Sequence, residues 1–210
     1  MTNNNLCVCL SSNGHPSNSS HPLFVDCKHY AFPGDHSSQN FCFDLYPFQF
    51  AYEVVSVDIP RIKRLVEKTG FFTPQETDVA VELVNERIHR GNESGYFFVI
   101  ANTQESLAGY ACYGPIPCTQ SSFSLYWIAV DPIFQGHGVG KRIIKEVEDQ
   151  IRNVDGTSVY VETSMKKQYH STHLFYKRQG YRLVSVLKDF YAPGDSKGTY
   201  YKKLLNFKTI

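Results

Sequence analysis

No apolar run in the 210 residues approaches the roughly 18 to 20 needed to cross a bilayer. The opening stretch MTNNNLCVCL has neither a basic flank nor the apolar centre of a secretory leader. Both absences predict a cytoplasmic chain with no membrane partner. Neither sign of charge is in excess: 21 Lys and Arg face 20 Asp and Glu, a formal net charge of +1. With no basic stripe either, no nucleic-acid partner is expected. Paired metal-ligand spacings are missing too. Cys7, Cys9, Cys27 and Cys42 share the first fifty residues with His15, His21, His29 and His36, yet no CxxC or HxxxH pair occurs among them, so no metal is expected. In a reducing compartment the six cysteines are expected to stay thiols. There is no internal repeat.

The organisation that is present falls into two parts. Residues 1–50 form an atypical extension rich in Ser, Asn, His and Cys, with SSNGHPSNSSHP poor in apolar side chains and the aromatic FCFDLYPFQFAY suited to an edge strand or to covering a groove. Residues 51–210 carry regular patterns. SVDIPRIKRLVEKTG predicts a helix with Asp58 as its cap and Gly70 at its end. TPQETDVAVELVNERIHRG predicts a second, with Thr73 and Glu76 in capping-box spacing and Gly91 as its stop. GYFFVIA and LAGYACYG predict an antiparallel hairpin, and SLYWIAVD a further strand. Val139, Ile143, Ile144, Val147, Ile151 and Val154 recur at helical spacing, with Glu148 and Arg152 expected on the solvated side. SVYVETS alternates like a half-buried strand. A helix through STHLFYKRQG and a closing hairpin around APGDSKG complete an α/β order.

Between the strand SLYWIAVD and the following helix lies FQGHGVGKR. Glycines at a strand-to-helix turn suit an anion, because first-turn N–H groups have no intrahelical acceptor and the helix dipole favours negative charge. The Rossmann pattern fails, since Lys141 stands where a third glycine is required, and a Walker loop fails at both ends. Gln135, Gly138 and Gly140 do satisfy Q-x-x-G-x-G. That stretch resembles the pyrophosphate-binding motif of the GNAT superfamily, the GCN5-related N-acetyltransferases. FYKRQGY, Phe175 to Tyr181, resembles the helix end of the same superfamily, and GYACYGPIP, YWIAVDP, YVETS and DFYAPGD look like one of its bacterial branches. The resemblance covers about Tyr52 to Leu204.

It implies a GNAT fold: a central mixed, mostly antiparallel twisted sheet, splayed next to the acetyl-CoA loop and flanked by about four helices. It implies acetyl-CoA (coenzyme A) as cofactor, held by Ile128, Ala129 and Val130 of the strand, by Gln135, Gly136, His137, Gly138, Val139, Gly140 and Lys141 of the loop, and by Tyr169, Thr172 and Phe175 of the next helix. For His137 the backbone N–H is expected to matter more than the ring, and His170 and His173 are expected on a helix surface. The implied activity is acetyl transfer to a primary amine by direct attack on the thioester. A protein N-terminal or lysine acetyltransferase and a catalytically quiet acyl-CoA-binding domain are the alternatives, and a homodimer is left open.

Acyl transfer needs a proton for the departing thiolate. Tyr176 suits that role, since a phenol titrating near 10 can deliver a proton without first ionising; the alternative is a core aromatic. The base is open. Many relatives carry a glutamate on the strand before the loop, whereas FSLYWIAVD presents Ser124 and Tyr126 on the relevant parity and no acid before Asp131. Glu162 is the runner-up, against the alternative of a solvated or salt-bridged strand carboxylate. Phe71, Phe72, Tyr113 and Tyr126 are the candidate acceptor-binding aromatics.

Overall fold

The computed structural model describes residues 48–204; the histidines and cysteines of the first fifty positions lie outside them. Seven strands, β1 (Gln49–Ala51), β2 (Phe97–Asn102), β3 (Leu107–Pro115), β4 (Ser122–Val130), β5 (Ser158–Ser164), β6 (Arg182–Ala192) and β7 (Asp195–Lys203), form one sheet in the order β1-β2-β3-β4-β5-β7-β6. Only β4 and β5 run parallel. The helices are α1 (Asp58–Thr69), α2 (Pro74–Arg90), α3 (Val139–Asn153) and α4 (His170–Arg178). The mixed α/β architecture with four helices is the expected one.

Two apolar layers sandwich the strands. On one face Ile62, Leu65 and Val66 of α1 and Ala80, Leu83 and Val84 of α2 pack on Phe98, Ile100, Tyr110, Trp127 and Ala129. On the other, Ile143, Ile144, Val147 and Ile151 of α3 and Tyr176 of α4 pack on Val99, Ala111, Leu125, Ile128, Val159 and Val161. Gly109 permits the close approach of α3, since a Cβ there would stand 2.7 Å from the Ala129 carbonyl oxygen and 2.9 Å from Ile143 Cδ1. At the far edge β6 is covered on neither face by the described residues, among which Val184, Val186 and Phe190 are each about half exposed.

The α2 capping box forms as expected: Thr73 Oγ1 accepts from Glu76 N at 3.2 Å and Glu76 Oε2 from Thr73 N at 2.7 Å. Asp58 behaves differently. It is the first residue of α1, and its carboxylate turns back to accept from Val55 N at 3.1 Å and to pair with Arg61 at 2.7 Å, so Val57 is the cap residue. Two expectations for α3 are corrected. Val154 follows the helix and is exposed. Glu148 is buried rather than solvated, because β7 supplies Lys202, whose Nζ donates to both carboxylate oxygens at 2.7 and 2.8 Å.

Two irregularities shape β4. The β3–β4 register passes from Cys112↔Trp127 to Tyr113↔Leu125, which leaves Tyr126 as an extra residue, a β-bulge. Tyr126 and Trp127 consequently both pack on the α1/α2 side, which simple alternation forbids. Second, β4 and β5 pair only over Ser122–Leu125 against Ser158–Val161. Beyond that point the strands diverge, and Tyr126–Val130 has no strand partner on its β5 side among the described residues.

Candidate functional site

The glycine loop is a sequence of tight turns. Phe134 N donates to Asp131 O at 2.8 Å, Gln135 N to Pro132 O at 3.3 Å and His137 N to Phe134 O at 3.4 Å. Asp131 anchors the start, accepting from Ile133 N at 3.0 Å and pairing with Lys68 of α1 at 2.8 Å. Gly136 and Gly138 have φ of 80° and 78°, the left-handed region in which a side chain is strained. The helical ladder of α3 opens with Arg142 N donating to Gly138 O at 3.1 Å, so the N–H groups of Gly138, Val139 and Gly140 precede it and have no intrahelical acceptor. No side chain among the described residues caps Gly138.

These amides border a cleft of about 250 Å3 between the loop and α4. Val130, Gln135, Gly136, Gly138, Val139, Gly140, Lys141 and Phe175, all named from the sequence, line it. Gln135 turns its amide back on the strand, donating from Nε2 to Val130 O at 3.0 Å, and so pins the loop to the end of β4. His137 does not line the cleft; its N–H is used inward, and its exposed ring lies with Nδ1 2.9 Å from Gln135 O. Ile128 and Ala129 are fully buried, their side chains packed on opposite faces of the sheet and their backbone on the diverging limb of β4.

The α4 wall differs in detail from expectation. Ser171, Phe175 and Arg178 share one stripe at i, i+4 and i+7, and with Gln179 they face the cleft. Thr172 and Tyr176 occupy the adjacent stripe and are fully buried, and Tyr169, at the end of a 3₁₀ turn, meets Phe71 with ring centroids 6.3 Å apart. Spacing of three from Tyr169 through Thr172 to Phe175 drifts off the cleft face; the heptad stripe through Phe175 was the signal that would have found Ser171 and Arg178. Tyr176 packs among Phe175, Tyr181 and Tyr200, with centroids at 5.4, 5.7 and 5.6 Å. His173 is buried, not a surface residue: its Nε2 donates to the Ser164 carbonyl of β5 at 2.9 Å, and burial holds its pKa below the ordinary value.

On the opposite face the candidates separate. Phe72 stacks on Trp127 at 4.6 Å, and with Phe71 and Tyr169 it forms an aromatic wall beside the diverging part of β4. Tyr113 lies instead in the α3/α4 core against Phe97, and burial drives its pKa up. Tyr126, bulged, meets Tyr96 edge-on at 5.4 Å; its pKa is pushed up to about 12, by burial first and by the neighbouring Cys112 second. Glu162, the first residue of β5 past the last β4 pairing, is bound by Lys197 of β7 at 3.0 Å, which makes it the salt-bridged strand carboxylate that stood as the alternative to a base. Phe190 caps that lysine with its ring centroid 3.9 Å from Nζ. Trp127 and Lys197 were not named from the sequence, since each acquires its place only through a bulge or a non-adjacent strand.

Residues 61–181, more than half of the chain, match the acetyltransferase (GNAT) family. The chain belongs to this family. Its members bind acetyl-CoA. A GNAT-family protein of known structure from Desulfovibrio desulfuricans is 43% identical, with a TM-score of 0.74 over 75% of this chain and 99% of that one. The N-alpha-acetyltransferase RimI of Mycobacterium tuberculosis is 28% identical over 95 residues, 45% of this chain and 57% of that relative, so the match spans little more than half of the curated protein's length. An aminoglycoside 6'-N-acetyltransferase complexed with coenzyme A shares the fold, with a TM-score of 0.60 at 15% identity over 75% of this chain and 97% of its own. No helix among the described residues is long and apolar enough to cross a membrane.

Proposed function

We propose that this GNAT protein transfers an acetyl group from acetyl-CoA to a primary amine by direct attack of the amine on the thioester. The observation that carries the reading is the divergence of β4 from β5 beside the uncapped start of α3. Its residues suit the cofactor: strand backbone at Ile128, Ala129 and Val130 for the pantetheine arm, and amides preceding the α3 ladder for the diphosphate, with Lys141 and Arg178 adding positive charge at the cleft. Acetyl-CoA, when bound, supplies the activated acyl thioester.

The chain's own groups handle the protons. Tyr176 Oη holds one for the departing sulfur, from a ring shielded from bulk water and one residue from the cleft-lining Phe175. At pH 7 only about one amine in a few thousand with pKa near 10.4 is neutral, so a base is required. Glu162, steadied by Lys197, takes the acceptor's proton at its carboxylate. Phe71 and Phe72, the latter backed by the buried Trp127, supply an apolar wall for the acceptor. A peptide N-terminus is the finer reading, favoured by the likeness to an N-alpha-acetyltransferase.

Thiol release from acetyl-CoA in the presence of a panel of small amines and peptides tests this. Acceptor-dependent release is expected. Tight binding with no release for any acceptor would establish a quiet binding domain instead. Acetyl-CoA at 100 times its Kd should stabilise the fold by about 2.7 kcal/mol; no thermal shift with any acyl-CoA would overturn both readings.

A further inference from the structure

The start of α3 is poorly provided for by its own sequence. Gly138 has no capping side chain, the first turn contains no acid, and Lys141 and Arg142 put two cations at the positive end of the helix dipole. Arg142 is nevertheless half-buried and held. Its guanidinium carbon lies 5.1 Å from the ring centroid of Phe48 and 5.5 Å from that of Phe50. Phe48 also meets Phe134 edge-on, at 5.9 Å and 89°, and Phe134 lines the cleft. Phe50 belongs to β1, where it pairs with Ala101 of β2. Further along, the Tyr52 hydroxyl donates to Glu146 Oε2 at 3.0 Å. Residues 48–50 thus form a strap along the first turn of α3 and tie it to the sheet edge, and Tyr52 reaches the second turn separately.

We propose that Phe48 and Phe50 clamp Arg142 and thereby position the first turn of α3 and its glycine loop for coenzyme A; the assignment rests on the acetyl-CoA reading above. A helix that reserves its first N–H groups for a ligand cannot spend them on its own cap, so another element must hold it. Aromatic faces suit the task because they attract a guanidinium through their quadrupole without adding a formal negative charge. A carboxylate in the same place would lower the positive potential at the mouth of the cleft and repel phosphates. Phe48 and Phe50 are therefore positioning residues, acting through Arg142.

The test uses the full chain, with acetyl-CoA affinity by titration calorimetry and amide hydrogen exchange of residues 136–142 in the free protein. The double variant Phe48→Ala/Phe50→Ala should weaken acetyl-CoA binding roughly three- to thirtyfold. It should raise KM for acetyl-CoA with kcat retained, and speed exchange in the loop. Phe48→Tyr/Phe50→Tyr should restore both, and Tyr52→Phe, which leaves the clamp intact, should change neither. Arg142→Met, which keeps the stem and removes the cation, should shift affinity and exchange in the same direction; it carries the test alone if the double variant does not fold. Wild-type affinity and exchange in a folded double variant or in Arg142→Met overturns the proposal. Should the wild type bind no acyl-CoA at all, the acetyl-CoA reading falls, and the exchange comparison still decides the clamp.

Discussion

The two sides of the β4–β5 divergence are built in different ways. The proposed cofactor side is made of backbone: turns at Gly136 and Gly138, amides ahead of the α3 ladder, and one contiguous stretch of chain from Val130 to Lys141. The proposed acceptor side is made of side chains from separate elements: Phe71 and Phe72 from the α1–α2 connection, Trp127 from a bulged β4, Tyr169 from a 3₁₀ turn, and Glu162 with Lys197 from β5 and β7. Backbone sites bind what every member of a family shares, while side-chain walls can be exchanged one residue at a time. The difference teaches where specificity can vary without loss of the chemistry.

Substitutions should respect that division. The largest effect is expected at the proposed acid: Tyr176→Phe should slow turnover by roughly 10²- to 10⁴-fold, with acetyl-CoA affinity in calorimetry unchanged. An unchanged kcat would remove Tyr176 from proton transfer. On the cofactor side, Gly138→Val forces a β-branched residue to φ 78° and should weaken acetyl-CoA binding by at least about tenfold, leaving the acceptor KM alone. On the acceptor side, Phe72→Ala removes the ring stacked on Trp127 and should raise the acceptor KM roughly three- to tenfold without altering acetyl-CoA affinity. A shift in both constants for either variant would show the two walls to be one.

The smallest effect concerns pH. His173 joins α4 to β5, and burial lowers its pKa. Below about pH 6.5, the ordinary histidine value, the unfolded chain takes up a proton that the folded ring resists, so stability should decline as pH falls. Above that value both states are neutral at this ring and it contributes no pH dependence. His173→Gln should flatten the acid limb of a denaturation-midpoint profile; an identical slope in the variant would exclude the ring as its source.

The same contrast explains what was legible in the sequence. Glycine spacing reports backbone conformation directly, so the loop and the capping box of Thr73 and Glu76 could be read from residues in a row. On the other side Phe71, Phe72 and Glu162 could be named, but their partners Trp127 and Lys197 could not. Alternation along β4 puts Tyr126 and Trp127 on opposite faces, and only the pairing of β3 with β4 reveals that they share one. Glu148 reads as the outer half of a helical ion pair because Lys202 is 54 residues away. Tyr169 and Thr172 were assigned to the cofactor by resemblance to the family, yet three-residue steps leave the stripe that Ser171, Phe175 and Arg178 occupy.

The bulge at Tyr126 has a bearing on comparison between relatives. It acts as a one-residue insertion that the sheet absorbs without lengthening a loop, so the gap it requires against a strand without it falls inside regular structure rather than in a connection. Counting residues along β4 from a family member that lacks it, or that bulges one position away, would move every assignment on one flank of the bulge to the wrong face. Roles for Ile128 to Asp131 are therefore safer transferred by strand pairing than by sequence position.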